Sequence, residues 1–202
     1  TVLPLIQAVL DKSAIRLADL NCIAISIGPG SFTGLRIGLA LVKGLAYDCD
    51  LPVIGVSSLE AQAARRHDLD GAICPLLDAR KQEVYAALFE RRGETLLRQM
   101  ADRVFEVSAL VAVMELNATA TAITFVGSGA ERYRVDLAQM FDGRAQIIGD
   151  AGASSIGHAV ARLGLERFAK AGGADLGGLV PIYLGSSQAL GITRAILPNP
   201  LK

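Results

Sequence analysis

Gly28-Pro29-Gly30-Ser31-Phe32-Thr33-Gly34-Leu35-Arg36-Ile37-Gly38 decides how this chain is read. A β-branched apolar run, Ile23 to Ile27, precedes it, and a long apolar segment ending near Tyr47 follows. Strand, glycine turn and helix is the order this predicts. The glycines have two physical uses. Backbone N–H groups at a helix start form an anion site, so Gly28, Gly30, Ser31, Thr33, Gly34 and Arg36 could cradle a phosphate. Alternatively the glycines serve packing: Gly34 and Gly38 share one helix face, where missing side chains admit a second backbone. GPGSFTG is one residue too long for the dinucleotide fingerprint, and no Lys-Ser/Thr pair completes a P-loop. Packing is the favoured reading and the anion site its alternative.

The helix that follows is too apolar for an ordinary surface helix. Arg36, Lys43 and Tyr47 form a narrow polar stripe, and most of the remaining circumference is Leu, Ile, Val, Ala or Gly. Its longest uncharged run, Ile37 to Val42, is far too short to cross a bilayer. The segment at 1–14 repeats the pattern, with only Pro4, Gln7 and Asp11 as a thin polar edge. One explanation is burial inside a domain. The preferred one is a face for the domain's own sheet plus a second face for another subunit. The candidate interface residues are Val2, Leu5, Ile6, Val9, Leu35, Ile37, Gly38, Leu39, Leu41, Val42 and Leu45. A charged residue at Leu39 or Val42, or alternatively at Ile37 or Leu41, is then expected to abolish partner binding and leave the monomer folded.

With 202 residues, the chain can build one large or two small domains. Its 20 basic side chains match its 20 acidic ones. The balance holds locally, with six of each in 1–68 and fourteen of each in 69–202. This is not the footprint of a protein that grips nucleic acid by itself. Cys22, Cys49 and Cys74 are an odd, scattered set, which argues against disulfides and a zinc knuckle and fits a reducing cytosol. His67 and His158 stand alone, so no metal site is expected.

Elements alternate along the chain. Helices are predicted at about 1–14, 32–47, 57–67, 107–116, 130–140 and from Ser154 or Ser155 to Ala171. Strands are predicted at 22–27, 52–56, 72–77, 83–90, 122–126 and 145–148, with Asp78 to Gln82 as a hairpin turn. The alternation implies α/β architecture in two lobes, 1–68 and 69–202.

GPGSFTGLRIGLALVKGLAYDCDLPVIGVSSLEA, followed by PLLDARKQEVYAALF and the late Val180-Pro181-Ile182-Tyr183-Leu184, resembles the bacterial TsaB (YeaZ) family over essentially the whole chain. The resemblance implies an α/β, two-lobed, actin-like or sugar-kinase-like (ASKHA) fold. It implies a non-catalytic paralogue of TsaD that lacks the metal-binding histidines. Such a subunit works with TsaD and the ATPase TsaE on N6-threonylcarbamoyladenosine at position 37 of tRNAs reading ANN codons, using threonylcarbamoyl-adenylate from TsaC. The family uses its first two helices to form a homodimer or to pair with TsaD; these correspond to about 1–14 and 32–47. No cofactor of its own is implied, save ATP or ADP at a partner interface. The chain would be cytoplasmic and off the membrane, meeting tRNA only through the complex. Family members begin with strands that this sequence lacks, so the first lobe is expected to be missing its N-terminal strands and an N-terminal part to precede Thr1. Gly185 stands where members often carry Arg, which removes any tail contact that Arg makes.

Asp78, Arg80 and Glu83 have two uses in the hairpin turn: a local salt-bridged turn, or a surface facing a shared nucleotide. The alternative function is enzymatic, a glycoprotease-like peptidase or a nucleotide-binding module. Ser31, Thr33 and Cys49 are the nucleophiles near the loop, but nothing in sequence ties His67 to them, and Ser31 and Thr33 are better read as helix caps.

Overall fold

In the computed structural model, which describes residues 2–117, 122–173 and 176–185, the strand, glycine turn and helix form in the expected order. Strand β1 (Ile23–Gly28) leads into helix α2 (Phe32–Cys49), and helix α1 (Val2–Ser13) precedes them. Ser31 caps α2, its Oγ accepting from the Gly34 N–H at 3.2 Å. Thr33 lies inside the first turn and is not the cap. β1 pairs in parallel with β2 (Val53–Ser57), and Ser57 caps the short α3 (Ser58–Ala64) through the Glu60 N–H.

Between α1 and β1 a 3-10 turn, Leu17–Asp19, is closed by charge. The Asp19 carboxylate accepts from the Arg16 guanidinium at 2.6 and 3.0 Å and from the Arg16 backbone N–H at 3.1 Å. Those bonds hold the Asp19 carboxyl at about 2, down from 3.8. The sign follows from the depressed value: the stabilisation is complete above the unfolded value and is lost as pH falls through the folded one. A carboxyl-carbon NMR titration should place the Asp19 midpoint near 2, and Arg16→Ala should return it towards 3.8.

The chain divides into two compact units, one of residues up to Arg65 with Ser154–Ile182, the other of Arg66–Ala153 with the described residues 183–185. This corrects the continuous lobes 1–68 and 69–202. The reason is helix α7 (Ile156–Ala171), which returns to the first unit and buries Ala159, Val160, Leu163 and Gly164. Arg167 on α7 donates to the Gly55 carbonyl at 2.6 Å and pairs with Glu60 at 2.6 Å. Arg65 Nε donates to the Ser154 carbonyl at 2.8 Å.

Gly164 sits so close to Ala24 of β1 that a side chain there would overlap the Ala24 methyl. Gly164→Ala is therefore expected to destabilise by about 1–3 kcal/mol, because the helix must lift off the sheet. Gly157→Ala, in the same helix with nothing within 4 Å of its would-be Cβ, is expected to stabilise by a few tenths up to about 1 kcal/mol. Urea midpoints of the two variants should move in opposite directions.

The first unit's core gathers Leu39, Val42 and Ala46 of α2 with Leu51, Val53 and Leu179, flanked by Ile23, Ile25 and Ile27. The second unit holds a five-stranded sheet in the order β5-β4-β3-β6-β7. Its strands are β3 (Gly71–Arg80), β4 (Glu83–Arg92), β5 (Thr95–Glu106), β6 (Ile123–Val126) and β7 (Ala145–Ile148). β3, β4 and β5 are antiparallel neighbours, while β6 and β7 extend the sheet in parallel from β3. Helices α4 (Leu110–Asn117), α5 (Ser128–Arg132) and α6 (Arg134–Met140) complete the unit. Leu76, Leu88, Leu110, Phe125, Leu137 and Phe141 form its buried centre.

Two expectations need correcting here. The helix at 130–140 begins earlier, at Ser128, and breaks at Tyr133, whose backbone leaves the helical region (φ −104°, ψ 25°) and whose ring is buried. The turn at 78–82 shrinks to Lys81-Gln82, because β3 runs on to Arg80 and pairs it with Glu83.

Candidate interaction surface

Helix geometry separates the faces of α2. Leu39, Val42 and Ala46, at spacings of three and four, point into the first unit's core. On the opposite side Thr33, Ile37, Ala40, Gly44 and Tyr47 form an exposed stripe. Ile37 is 59% exposed and Tyr47 84%. Nothing lies within 4 Å of a Cβ built on Gly44, so the surface there is open. At the helix start Phe32 is also exposed, and the Arg36 guanidinium lies 3.8 Å from the centre of its ring.

Helix α1 buries no residue at all. Val2, Leu5 and Val9, one face at spacings of three and four, stand in solvent, and Leu5 is 67% exposed. Ile6 is half-buried. Exposed apolar side chains in such a row mark a docking face more often than a solvated one.

The structure thus sorts the predicted interface residues. Val2, Leu5, Val9 and Ile37 are exposed; Ile6, Leu35, Gly38, Leu41 and Leu45 are half-buried. Leu39 and Val42 are 6% and 8% exposed and belong to the chain's own core, so they drop out of the surface. Ala40, Gly44 and Tyr47 enter it. A helical wheel drawn from the Leu39-Val42-Ala46 triplet would have found them on the far side, but the sequence does not say which side of so apolar a helix meets the sheet.

The glycine loop is explained by different contacts from those expected. Gly34 touches only its cap Ser31, and Gly38 meets the Ile25 side chain at an ordinary 3.8 Å, so no second backbone approaches them within the described residues. The close approach is at Gly28: its φ is +113°, and a Cβ there would lie 2.8 Å from the Ile182 carbonyl oxygen. Ile182 donates its N–H to the Ile27 carbonyl at 2.7 Å, fastening the late segment beside β1. At the start of α2, Ser31 Oγ takes the Gly34 N–H, one of the orphan donors that an anion would use, while the Leu35 N–H makes the first regular helical bond to the Ser31 carbonyl.

In the hairpin, Asp78 is the centre of the polar contacts. One carboxylate oxygen accepts from the Arg80 backbone N–H and the other from the Arg132 guanidinium, each at 3.0 Å. The salt bridge thus reaches α5 and is not local to the turn, and Glu83 is buried.

Among the described residues, no group of three or more His, Cys, Asp and Glu side chains is placed to hold a metal ion. No described helix is long and apolar enough to cross a membrane. Cys74 is fully buried, and desolvation raises its thiol pKa far above the usual range; partial burial raises that of Cys22 less.

The family model described as TsaD, tRNA N6-adenosine threonylcarbamoyltransferase, matches residues 1–170. The tRNA threonylcarbamoyladenosine biosynthesis protein TsaB of Bacillus subtilis (strain 168) is 31% identical over 187 residues, 93% of this chain and 79% of that protein. The TsaB protein of Escherichia coli (strain K12) is 45% identical over 92 residues, 45% of this chain and 40% of its own length. Among solved structures, YeaZ from Pseudomonas aeruginosa aligns with a TM-score of 0.74 at 26% identity, covering 90% of this chain and 82% of that one. The sheet order of the second unit and these likenesses define an α/β protein of the actin-like, sugar-kinase-like (ASKHA) class. The chain belongs to the TsaB (YeaZ) family, within the wider family that the TsaD model describes.

Proposed function

We propose that this chain is a non-catalytic, activating subunit in the biosynthesis of tRNA threonylcarbamoyladenosine, docking on TsaD through α1 and the outer stripe of α2. The observation that carries this is the apolar row on the side of α2 turned away from the first unit's core, Ile37 with its small neighbours Ala40 and Gly44. Small residues beside a large apolar one let a partner helix seat closely, and apolar area in the centre of a patch supplies most interface energy.

In this reading TsaD carries out the transfer to N6 of adenosine 37 in tRNAs that read ANN codons, and TsaE joins the pair. When TsaD is absent, a second copy of this chain covers the same face, so homodimer and TsaD complex compete. Any ATP or ADP is bound at an interface with the partners in this reading, and the glycine loop serves packing, with Gly28 against Ile182 and the Gly34 N–H already taken by Ser31. A peptidase has little support from the residues near the loop. Ser31 Oγ serves as a helix cap, Cys49 packs against the core, and His67 belongs to the other unit.

Co-purification with TsaD tests the docking. The wild-type chain should be retained stoichiometrically, and Ile37→Asp should be lost while still folded.

A further inference from the structure

The tip of the β3–β4 hairpin is built from residues that its backbone does not favour. Arg80 pairs with Glu83 across a two-residue turn, Lys81-Gln82. Lys81 and Gln82 have φ values of 49° and 61°, and Arg80 before them has 67°. Turns with positive φ at both central positions select Asn-Gly or Asp-Gly, because a Cβ is crowded there. A run of Arg, Lys and Gln is a local conflict between sequence and backbone, and such conflicts concentrate at functional sites.

The conflict is held in place on both sides. Asp78 accepts from the Arg80 N–H at 3.0 Å, and the Gln82 carbonyl accepts from the Val107 N–H at 2.9 Å. The charge of Asp78 is matched by Arg132, itself 58% exposed. Glu83 is buried, and Glu106 faces it in the β4–β5 register. Arg80 and Lys81 are exposed, and among the described residues no carboxylate is ion-paired with either. The tip therefore presents two side-chain cations on a turn pinned on both sides by hydrogen bonds.

We infer that this tip is a phosphate-contacting knob: within the assembled complex, Arg80 and Lys81 reach backbone phosphates of the bound tRNA. The inference rests on the tRNA-modification reading above. RNA is favoured over an acidic protein segment because the tip residues Arg80, Lys81 and Gln82 include no apolar side chain to anchor a protein interface. Protein interfaces are built around apolar area and are depleted in Lys, whereas phosphate contacts need only positioned cations. Two contacts are too few to hold RNA alone, which agrees with the chain's net charge of zero. They supplement binding by the complex.

The test uses the chain assembled with TsaD, with assembly verified first by sedimentation; failure at that stage counts against the docking reading and not against this one. Affinity for tRNA is then measured by fluorescence anisotropy from about 50 to about 300 mM salt. Arg80→Ala combined with Lys81→Ala should flatten the slope of log affinity against log salt by about 2. An intact assembly with an unchanged slope overturns the inference. Weakened assembly with an unchanged slope also overturns it, and assigns the tip to a protein partner. A second variant, Lys81→Asn with Gln82→Gly, guards against misfolding: its Tm should rise by a few degrees while the slope falls by about 1. A higher Tm with an unchanged slope means that the conflict serves no RNA contact.

Discussion

Ile37→Asp is expected to leave the chain as stable as the parent and to remove it from TsaD, whereas Leu39→Asp is expected to unfold it. The two positions are two residues apart on one helix and differ only in what surrounds them. Ile37 is 59% exposed, and Leu39 is 6% exposed within the first unit's core. A carboxylate at Ile37 is solvated in the free chain, so the unfolding midpoint should move by no more than about 0.5 kcal/mol. At the centre of a docked apolar patch the same carboxylate loses its water, and a loss of about 2 kcal/mol or more weakens binding by about 30-fold or more. At Leu39 the substitution both removes apolar burial and places an unpaired charge among Val42, Ala46, Leu51 and Val53, which should cost more than about 4 kcal/mol. Circular dichroism separates the outcomes before any binding is measured. Two folded variants with equal affinity would move the docking face elsewhere.

Arg66→Ala should destabilise the second unit by about 1–3 kcal/mol, the range for losing charge-assisted hydrogen bonds whose other partners water can partly reach. Arg66 is 4% exposed, and one of its nitrogens donates to the carbonyls of Gly149 and Ala151, which follow β7. Its Nε and the other terminal nitrogen bind both oxygens of Asp68 at 3.0 and 2.8 Å. Truncation leaves two carbonyls without their donor. The Asp68 side chain is 41% exposed and can be resolvated, so most of the loss comes from the carbonyls. Desolvation pushes the Asp68 carboxyl upward, but the Arg66 hydrogen bonds outweigh it and hold its pKa below 3.8. The stabilisation from that pair is therefore present above the ordinary carboxylate value and is lost as pH falls through the depressed one. The gap between wild type and Arg66→Ala in urea should narrow on acidification below about pH 4, with the carbonyl contribution remaining. Arg66→Lys should recover only part of the loss, because an ammonium cannot bridge carboxylate and carbonyls with one planar fork.

Local signals carried much of the fold. The strand before the glycines, the Ser31 cap, the β3 and β6 runs and α7 from its Ser155 cap are all where spacing and capping residues place them. β5 was not legible because one of its faces is largely solvent-exposed. Arg98, Asp102 and Arg103 interrupt its apolar alternation, and Arg98 finds its partners in Phe89 and Asp102. The return of α7 to the first unit was hidden as well. It depends on Gly164 lying against Ala24 and on Arg167 reaching Gly55 and Glu60, contacts between residues 107 or more positions apart. The candidate surface was legible in kind but not in detail. An excess of apolar residues announced that α1 and α2 had more than one face to cover. Only the side of α2 turned to the sheet separates Leu39 and Val42 from Ile37, Ala40 and Gly44.

The most direct test of the central claim is the rate of threonylcarbamoyl transfer to tRNA by TsaD and TsaE, measured with and without this chain. The scaffold reading predicts strong stimulation by the wild-type chain, none by folded Ile37→Asp, and no turnover by the chain alone. Transfer by TsaD that is indifferent to the chain, or turnover by the chain unaided, would contradict it.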